Sequence, residues 1–133
     1  MKKYTQEEFD NFEMDEYGYK ICPSGDYSLI SNFDKQCSFG EWCSFGELCR
    51  FGERCSCEFG EFKKMSTIGW FGRESRTTYF FKLANGNIGV RCSCFAGNLN
   101  EFREKVKETH GESKMAKEYL MAADLMEYHF GEE

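Results

Sequence analysis

A six-residue alternation of large apolar and small residues organises the first half of the chain. Residues 33 to 56 read FDKQCS, FGEWCS, FGELCR and FGERCS, so a phenylalanine opens each hexad and a cysteine takes its fifth position. The same frame extends back through YSLISN to ICPSGD, which begins at Ile21 and keeps a small fifth residue. A fixed period of this kind indicates a repeat architecture in which every unit contributes to one shared core.

The pattern resembles the hexapeptide repeat of left-handed parallel β-helices, in which three hexads form one triangular coil. That resemblance implies that residues three hexads apart stack between coils about 4.8 Å apart. Phenylalanine in place of the usual Ile, Val or Leu requires a wider interior. We therefore expect about two coils over residues 21–58, which end at Cys57-Glu58. The expected stacked pairs are Ile21 with Phe39, Tyr27 with Phe45, Phe33 with Phe51, and Cys37 with Cys55.

The flanking segments have the patterns of helices and of an antiparallel sheet. Residues 1–20 contain Thr5-Gln6-Glu7-Glu8, a capping box that predicts a short helix covering the first coil. Within residues 63–96, two β-like runs meet at Asn85-Gly86, a strong hairpin signal, and a third strand is expected around Thr67 to Phe71.

Residues 98–130 are predicted to form two helices, the first beginning at Asn98 and ending at Gly111, and the second running from Ser113 to Phe130. Their apolar residues recur at helical spacing, which indicates a core-facing stripe. These residues are Leu99, Phe102, Val106, Ala116, Tyr119, Leu120, Ala123, Met126 and Phe130. The predicted fold class is thus α+β: a short parallel β-helix, a small antiparallel sheet and two C-terminal helices, in a single domain of 133 residues.

The eight cysteines are interpreted mainly as packing residues. The N-terminal Met-Lys-Lys is followed by no apolar stretch of a signal peptide, so a cytoplasmic protein with reduced thiols is expected. No stretch approaches the roughly 18 apolar residues of a membrane helix. A weaker alternative is a zinc-stabilised module with two Cys-x-Cys pairs as ligands, namely Cys55, Cys57, Cys92 and Cys94.

Repeated acidic residues point to a partner-binding surface on the β-helix. Glu41, Glu47 and Glu53 occupy the third position of successive hexads, while Trp42 and Leu48 take the outward fourth position. Such a surface could imitate the phosphates of nucleic acid and bind a basic groove. The plainer alternative is a solvated face.

The only basic part of the chain is the predicted sheet, where Arg73, Arg76 and Lys82 could hold a nucleotide phosphate. The same residues could instead face the acidic β-helix of their own chain. Acyltransfer, the best-known activity of hexapeptide β-helices, is disfavoured because His110 and His129 lie outside the repeat. With no catalytic motif in the sequence, we expect neither an enzyme nor a cofactor.

The chain also resembles uncharacterised small proteins of gut bacteria and of their phages and prophages. The resemblance lies in CPSGDYS (22–28), in the CSFGEWCSFGE repeats and in VRCSCFAGNLNEFREKVKETHG (90–111). It implies a mobile-element setting and carries no known catalytic residue. The function hypothesis is therefore a non-enzymatic inhibitor of a host protein, in its most specific form an anti-CRISPR-like protein that blocks a nucleic-acid groove. We expect a homo-oligomer, with a dimer as the guess, and no direct nucleic-acid or membrane partner.

Overall fold

A computed structural model of the chain describes residues 1–46, 49–69, 77–92 and 95–131. These residues form a mixed α+β protein, which confirms the predicted class. The chain folds into two compact units, Met1–Lys63 and Lys64–Glu133. The single domain stays a prediction. No helix among the described residues combines the length and apolar character needed to cross a membrane.

The N-terminal helix α1 forms at the predicted capping box. It spans Gln6–Asp10, and the Glu8 backbone N–H donates to the Thr5 hydroxyl at 3.2 Å. The Glu8 carboxylate in turn accepts from the Thr5 backbone N–H at 3.0 Å. These reciprocal bonds satisfy N–H groups that the first turn of a helix leaves unpaired. The helix buries Phe9, whose ring lies 5.4 Å from that of Phe33.

The rest of the first unit consists of very short strands that pair in parallel. They fall into three groups: β1 with β4 and β7, β2 with β5, and β3 with β6. The antiparallel strand β8 begins next to β7 and continues along the chain through the boundary at Lys63. The strand bounds are β1 Lys20–Cys22, β2 Asp26–Tyr27, β3 Asn32–Phe33, β4 Cys37–Phe39, β5 Ser44–Phe45, β6 Arg50–Phe51, β7 Ser56–Cys57 and β8 Gly60–Ile68.

Most of the predicted stacking register is confirmed. Tyr27 pairs with Phe45 and Phe33 pairs with Phe51, so the partners are three hexads apart in the sequence. The spacing recurs where Ser38 pairs with Ser56, the residues that follow Cys37 and Cys55. The turn at residues 58–59, after β7, also agrees with the predicted exit from the repeat.

The register predicted for the first hexad is wrong by one residue. Cys22, which is 1% exposed, lies opposite Phe39, while Ile21 lies opposite Ser38 and is 48% exposed. The segment between Cys22 and Tyr27 is therefore one residue shorter than a hexad. At Gly25, within this segment, the missing side chain leaves room for the N-terminal segment, because a Cβ there would come within 2.9 Å of the Lys2 carbonyl oxygen.

The hexad pattern predicts that the first and fifth residues face inward, and for the fifth residue of the second hexad this is wrong. Ile30 is 1% exposed, whereas Ser31, the small fifth residue, faces solvent. In other hexads the fourth residue adopts positive φ, namely 56° at Gln36, 58° at Trp42 and 61° at Arg54. A β-branched isoleucine strongly disfavours that conformation, so the turn follows a different path and the side chain points inward.

The interior of the first unit is an ordered assembly of aromatic rings. Rings one hexad apart meet edge to face, as between Phe33 and Phe39 at 86° and between Phe39 and Phe45 at 87°. Rings three hexads apart are stacked, with Phe33 and Phe51 at 5.0 Å and 8°. Both are favourable aromatic geometries. The six-residue period therefore fixes ring orientation as well as ring position.

The second unit is an antiparallel sheet with two helices packed on one face. The strand order is β8-β9-β10-β11, where β9 is Thr78–Leu83, β10 is Ile88–Cys92 and β11 is Phe95–Asn98. The predicted hairpin at Asn85-Gly86 is confirmed, with Gly86 at φ 92°. The strand expected at Thr67 to Phe71 instead begins at Gly60 and ends at Ile68, and Phe71 lies outside the described residues. Strand β11 was not predicted.

Both predicted helices are confirmed. Helix α2 spans Leu99–His110 behind an Asn98 capping box, and α3 spans Lys114–Phe130 behind the N-cap Ser113. The predicted apolar stripes pack on β9 and β10 and are buried, with Leu120 only partly so.

Two matched isoleucine substitutions distinguish the observed register from the register read from the sequence. Ile30→Ala should lower the free energy of unfolding by about 2–5 kcal/mol, because it leaves a cavity in the core. Ile21→Ala should cost less than about 1 kcal/mol, because the side chain is half exposed. Urea denaturation followed by near-UV circular dichroism of the aromatic core measures both. Equal costs, or the reverse order, would contradict the observed register.

Candidate functional site

Buried thiols line part of the interior of the first unit. Cys37 and Cys55 both donate to the Asp34 carbonyl oxygen, at 3.2 and 3.4 Å, and Cys43 donates to the Gly40 carbonyl oxygen at 3.2 Å. All three cysteines are at most 1% exposed. The side chains thus combine small volume with a donor for turn carbonyls, as expected of packing residues.

The environment of Cys37, Cys49 and Cys55 raises the pKa of each thiol and keeps it protonated at neutral pH. A hydrogen bond with the Cys22 thiol raises the pKa of Cys37 to about 12; Cys55 partly offsets this effect, and burial adds to it. The hydrogen bond with Cys37, followed by burial, raises the pKa of Cys55 well above its ordinary value. Burial also raises the pKa of Cys49. Since the thiolate is the nucleophile and the metal ligand, these cysteines are poorly suited to either role.

The zinc hypothesis receives no support from the described residues. Within them, no group of three or more His, Cys, Asp or Glu side chains is arranged to hold a metal ion. Cys55 bonds to Asp34, Cys57 is half-buried, and the Cys92 sulfur accepts from the Thr78 hydroxyl at 3.1 Å. Cys94 lies outside the described residues, so the four-cysteine site stays a prediction.

The repeated glutamates do not form one column. Glu41 lies in the turn between β4 and β5, and Glu53 lies in the turn between β6 and β7, so they sit at different corners of the repeat. A column requires a spacing of three hexads, and the residue bonded to the Glu53 backbone is Gln36, whose N–H donates to the Glu53 carbonyl oxygen at 2.8 Å. Glu47 and Leu48 lie outside the described residues.

Several of the predicted residues nevertheless border one surface, the outer face of the sheet that contains β1, β4 and β7. We call it the first-sheet face. Its centre is the outward row Ile21, Ser38 and Ser56, which continues to Glu61 on β8. The turn after β4 carries Glu41 and Trp42, and the turn before β7 carries Glu53, so these residues border opposite ends of the face.

Two contributors to this surface were missed in the sequence. Ile21 was expected inside, and Glu13 was assigned no role, although the Ile21 N–H donates to the Glu13 carbonyl oxygen at 2.8 Å and aligns that segment with β1. Glu13 and Glu61 are both exposed, at opposite sides of the first-sheet face. With four strand spacings between them, the face is about 19 Å wide. The missed signal was the short first hexad, which turns Ile21 outward.

Trp42 adopts a backbone conformation that is unusual for its type. Its φ is 58°, and its side chain is 38% exposed. Left-handed backbone at a bulky residue costs roughly 1–2 kcal/mol. The same conformation recurs at Gln36 and Arg54 and so belongs to the turn; what distinguishes Trp42 is a large aromatic residue left partly exposed there.

The charge of the chain is concentrated in the first unit. Residues 1–63 contain thirteen acidic and seven basic residues, whereas residues 64–133 contain ten of each, so the formal charge of −6 belongs to the first unit. Three of its basic residues are paired with its own acidic residues: Lys2 with Glu8, Lys3 with Asp26 and Lys20 with Asp34.

The described basic residues of the sheet do not form one patch. Arg91 lies opposite Tyr79, whereas Lys82 has the same strand parity as Phe80, which faces the helices. Lys82 and Arg91 therefore point to opposite faces. Arg91 is 6% exposed, with its guanidinium 4.5 Å from the Tyr79 ring centroid. Arg73 and Arg76 lie outside the described residues, so the nucleotide-phosphate site stays a prediction.

Comparison with known proteins identifies no relative: no family description, curated protein or solved structure matches the chain.

The buried thiols predict a loss of stability at alkaline pH. A folded pKa for Cys37 near 12, against about 9 in the unfolded chain, stabilises the fold at pH values below 9. This contribution should decline as the pH rises from about 9 towards 12, because the unfolded thiol ionises first. Urea denaturation at about pH 8 and about pH 10 measures the decline, which should be shallower in Cys37→Ala. An identical slope in both proteins would contradict the assignment to Cys37.

Proposed function

We propose that this chain is a non-enzymatic binding protein whose acidic first unit occupies a basic surface of a host macromolecule. The observation that carries the proposal is the first-sheet face, a surface with the exposed Ile21 in its outward row, beside Ser38 and Ser56, and carboxylates on its borders. Glu13 and Glu61 lie at its edges, while Glu41 and Glu53 lie at its ends. An exposed apolar residue and small polar residues enclosed by charged ones fit the polar anatomy of a non-obligate protein interface.

We further propose that residues 21–58 form a parallel β-helix of about two coils, which makes this surface rigid. The support is the parallel pairing at a spacing of three hexads in three separate groups of strands. A rigid surface loses little conformational entropy on binding, so more of its contact energy is retained as affinity. The handedness of the coils follows only from the resemblance to left-handed hexapeptide proteins.

Charge supplies the specificity of the proposed interaction. The net charge of −6 on the first unit attracts a basic partner and accelerates the encounter. Nucleic-acid channels are lined by lysine and arginine that bind phosphates, and the carboxylates of the first-sheet face offer them an alternative anion. Binding of this kind weakens as salt screens the charges.

The most specific form of the proposal is an inhibitor of an RNA-guided CRISPR nuclease that acts by occluding its nucleic-acid groove. It is motivated by the resemblance of the repeats to proteins of phages and prophages. Purified nucleases with their guide RNA, tested for cleavage of a labelled target duplex, provide the experiment. If an excess of the protein leaves binding and cleavage by every nuclease in the panel unchanged, this specific form is wrong.

A charge-reversal experiment tests the binding surface. Replacing Glu41, Glu53 and Glu61 together with lysine should weaken partner binding by roughly 100-fold, because the face would then repel a basic groove. All three side chains are exposed, so the fold should be retained. The affinity for a partner captured from host lysate, or for an inhibited nuclease, is measured at low and high salt.

The second unit offers a control with the same change in charge. Glu104, Glu108 and Glu112 are also exposed, and their replacement with lysine should leave the affinity within about twofold of the parent protein. Equal losses in the two triple variants would show that total charge, rather than the first-sheet face, determines binding. No loss in either variant would contradict the proposed surface.

Trp42 allows binding to be separated from folding. Trp42→Gly relieves the positive φ but removes a large side chain, so the free energy of unfolding should change by less than about 1 kcal/mol. Partner affinity should fall at least about tenfold, as expected for an aromatic residue at an interface. Gln36→Gly is the control, because it relieves the same backbone conformation without removing an aromatic ring. Retained affinity in Trp42→Gly would exclude the tryptophan from the interface.

A further inference from the structure

Helix α3 carries a second apolar stripe on the side opposite its buried face. Met121, Leu125 and Tyr128 follow one another at spacings of four and three residues, which places them on one side of the helix. Their side chains are 69%, 54% and 88% exposed. Single exposed apolar residues are ordinary on protein surfaces. Three large ones aligned on one rigid helix form a patch of the kind that marks an interaction site.

The charged residues around this stripe are ordered so that the helices of two copies can pair with opposite charges in contact. Lys114, Met121 and Tyr128 are seven residues apart and define the centre line of the outer face. Lys117 and Asp124, also seven residues apart, lie on one flank, before and after Met121. Along the centre line and this flank, the cations precede Met121 and the anion follows it, whereas Glu118 lies on the opposite flank.

We propose that the outer face of α3 binds the same face of a second copy of the chain in an antiparallel, two-fold symmetric pair centred near Met121. A two-fold axis at this point places Lys117 next to the partner's Asp124. By the same symmetry, Asp124 lies next to the partner's Lys117. It also places Lys114 against the partner's Tyr128, where an ammonium group can lie over the ring. A parallel pair would instead bring like charges together.

The partners of Asp124 within its own chain leave room for the second contact. Its carboxylate accepts from the Arg103 guanidinium at 2.8 Å, and that guanidinium also binds Glu127 at 2.9 Å. The Asp124 side chain nevertheless remains 74% exposed. A carboxylate has about four acceptor positions, so Arg103 can hold Asp124 in place while a lysine of the second copy approaches it.

The size of the patch predicts the strength of the pair. Three large side chains on each copy bury an area at the lower end of the range for specific complexes, and the charged residues around them add to that area. We expect a dissociation constant roughly in the micromolar range, as for small transient contacts between proteins. This inference does not depend on the proposed function, because all its residues belong to the second unit.

Sedimentation velocity of the full chain across a range of concentrations tests the proposal. The parent protein should pass from monomer to dimer as its concentration rises from about 1 to about 100 μM. Met121→Glu should raise the dissociation constant at least about tenfold. Leu29→Glu, which changes an equally accessible apolar side chain of the first unit (58% exposed), should leave it unchanged. Circular dichroism checks that each variant is folded.

A charge swap tests the antiparallel arrangement itself. Lys117→Glu and Asp124→Lys should each weaken the dimer, and the double variant Lys117→Glu/Asp124→Lys should bind more tightly than either single variant, since the opposed pair is re-formed with reversed charges although the lysine introduced at position 124 faces Arg103 of its own chain. A parent protein that remains monomeric at about 100 μM would overturn the proposal. So would a dimer unaffected by Met121→Glu, while a double variant as weak as the single variants would overturn the antiparallel arrangement.

Discussion

The first unit depends on one constraint, which is that the aromatic side chains of successive hexads must pack against one another in a shared interior. Rings three hexads apart stack, as Tyr27 and Phe45 do at 20°, and rings one hexad apart meet edge to face. Phenylalanine satisfies both demands with one flat side chain, whereas a branched aliphatic residue has no preferred orientation of this kind. The same packing draws the backbones close together. At Gly52 a Cβ would come within 2.6 Å of Lys35 Cα, which explains why glycine follows the phenylalanine there.

The cysteines solve the remaining problem of this interior, which is the polar backbone at its turns. A turn that leaves the strand ladder exposes carbonyl oxygens to a dry core, and a buried acceptor without a donor is costly. Cys37 and Cys55 share the Asp34 carbonyl oxygen, and the Tyr27 hydroxyl donates to that of Pro23. Alanine would fill similar space without a donor. The unusual number of cysteines in the sequence is therefore explained largely by hydrogen bonding and volume, with their high pKa values as a consequence.

Sequence reasoning succeeded where a local rule decided the structure and failed where a single residue changed its frame. The three-hexad register, the capping boxes at Thr5 and Asn98, and the hairpin at Gly86 follow from short patterns with direct physical causes. The frame failed at Ile21 because one shorter turn reverses which side chains point inward. The glutamate surface was predicted from residues one hexad apart in the sequence, although side chains align in a column only when they are three hexads apart. Its actual border on the first-sheet face depends on strand pairing, which no local pattern reports.

The two units expose different kinds of surface, and this difference bears on how their interactions would combine. The first unit carries the whole net charge, while the second is electrically balanced and presents an apolar stripe on α3. Charged surfaces mainly increase the association rate and lose strength in salt, whereas apolar contacts are much less sensitive to it. A pair formed through α3 would carry two acidic units on one assembly. If the partner has two basic sites within reach of this assembly, binding of one acidic unit holds the other at a high effective concentration near the second site. The modest α3 interface would thereby strengthen binding of the partner by the first unit.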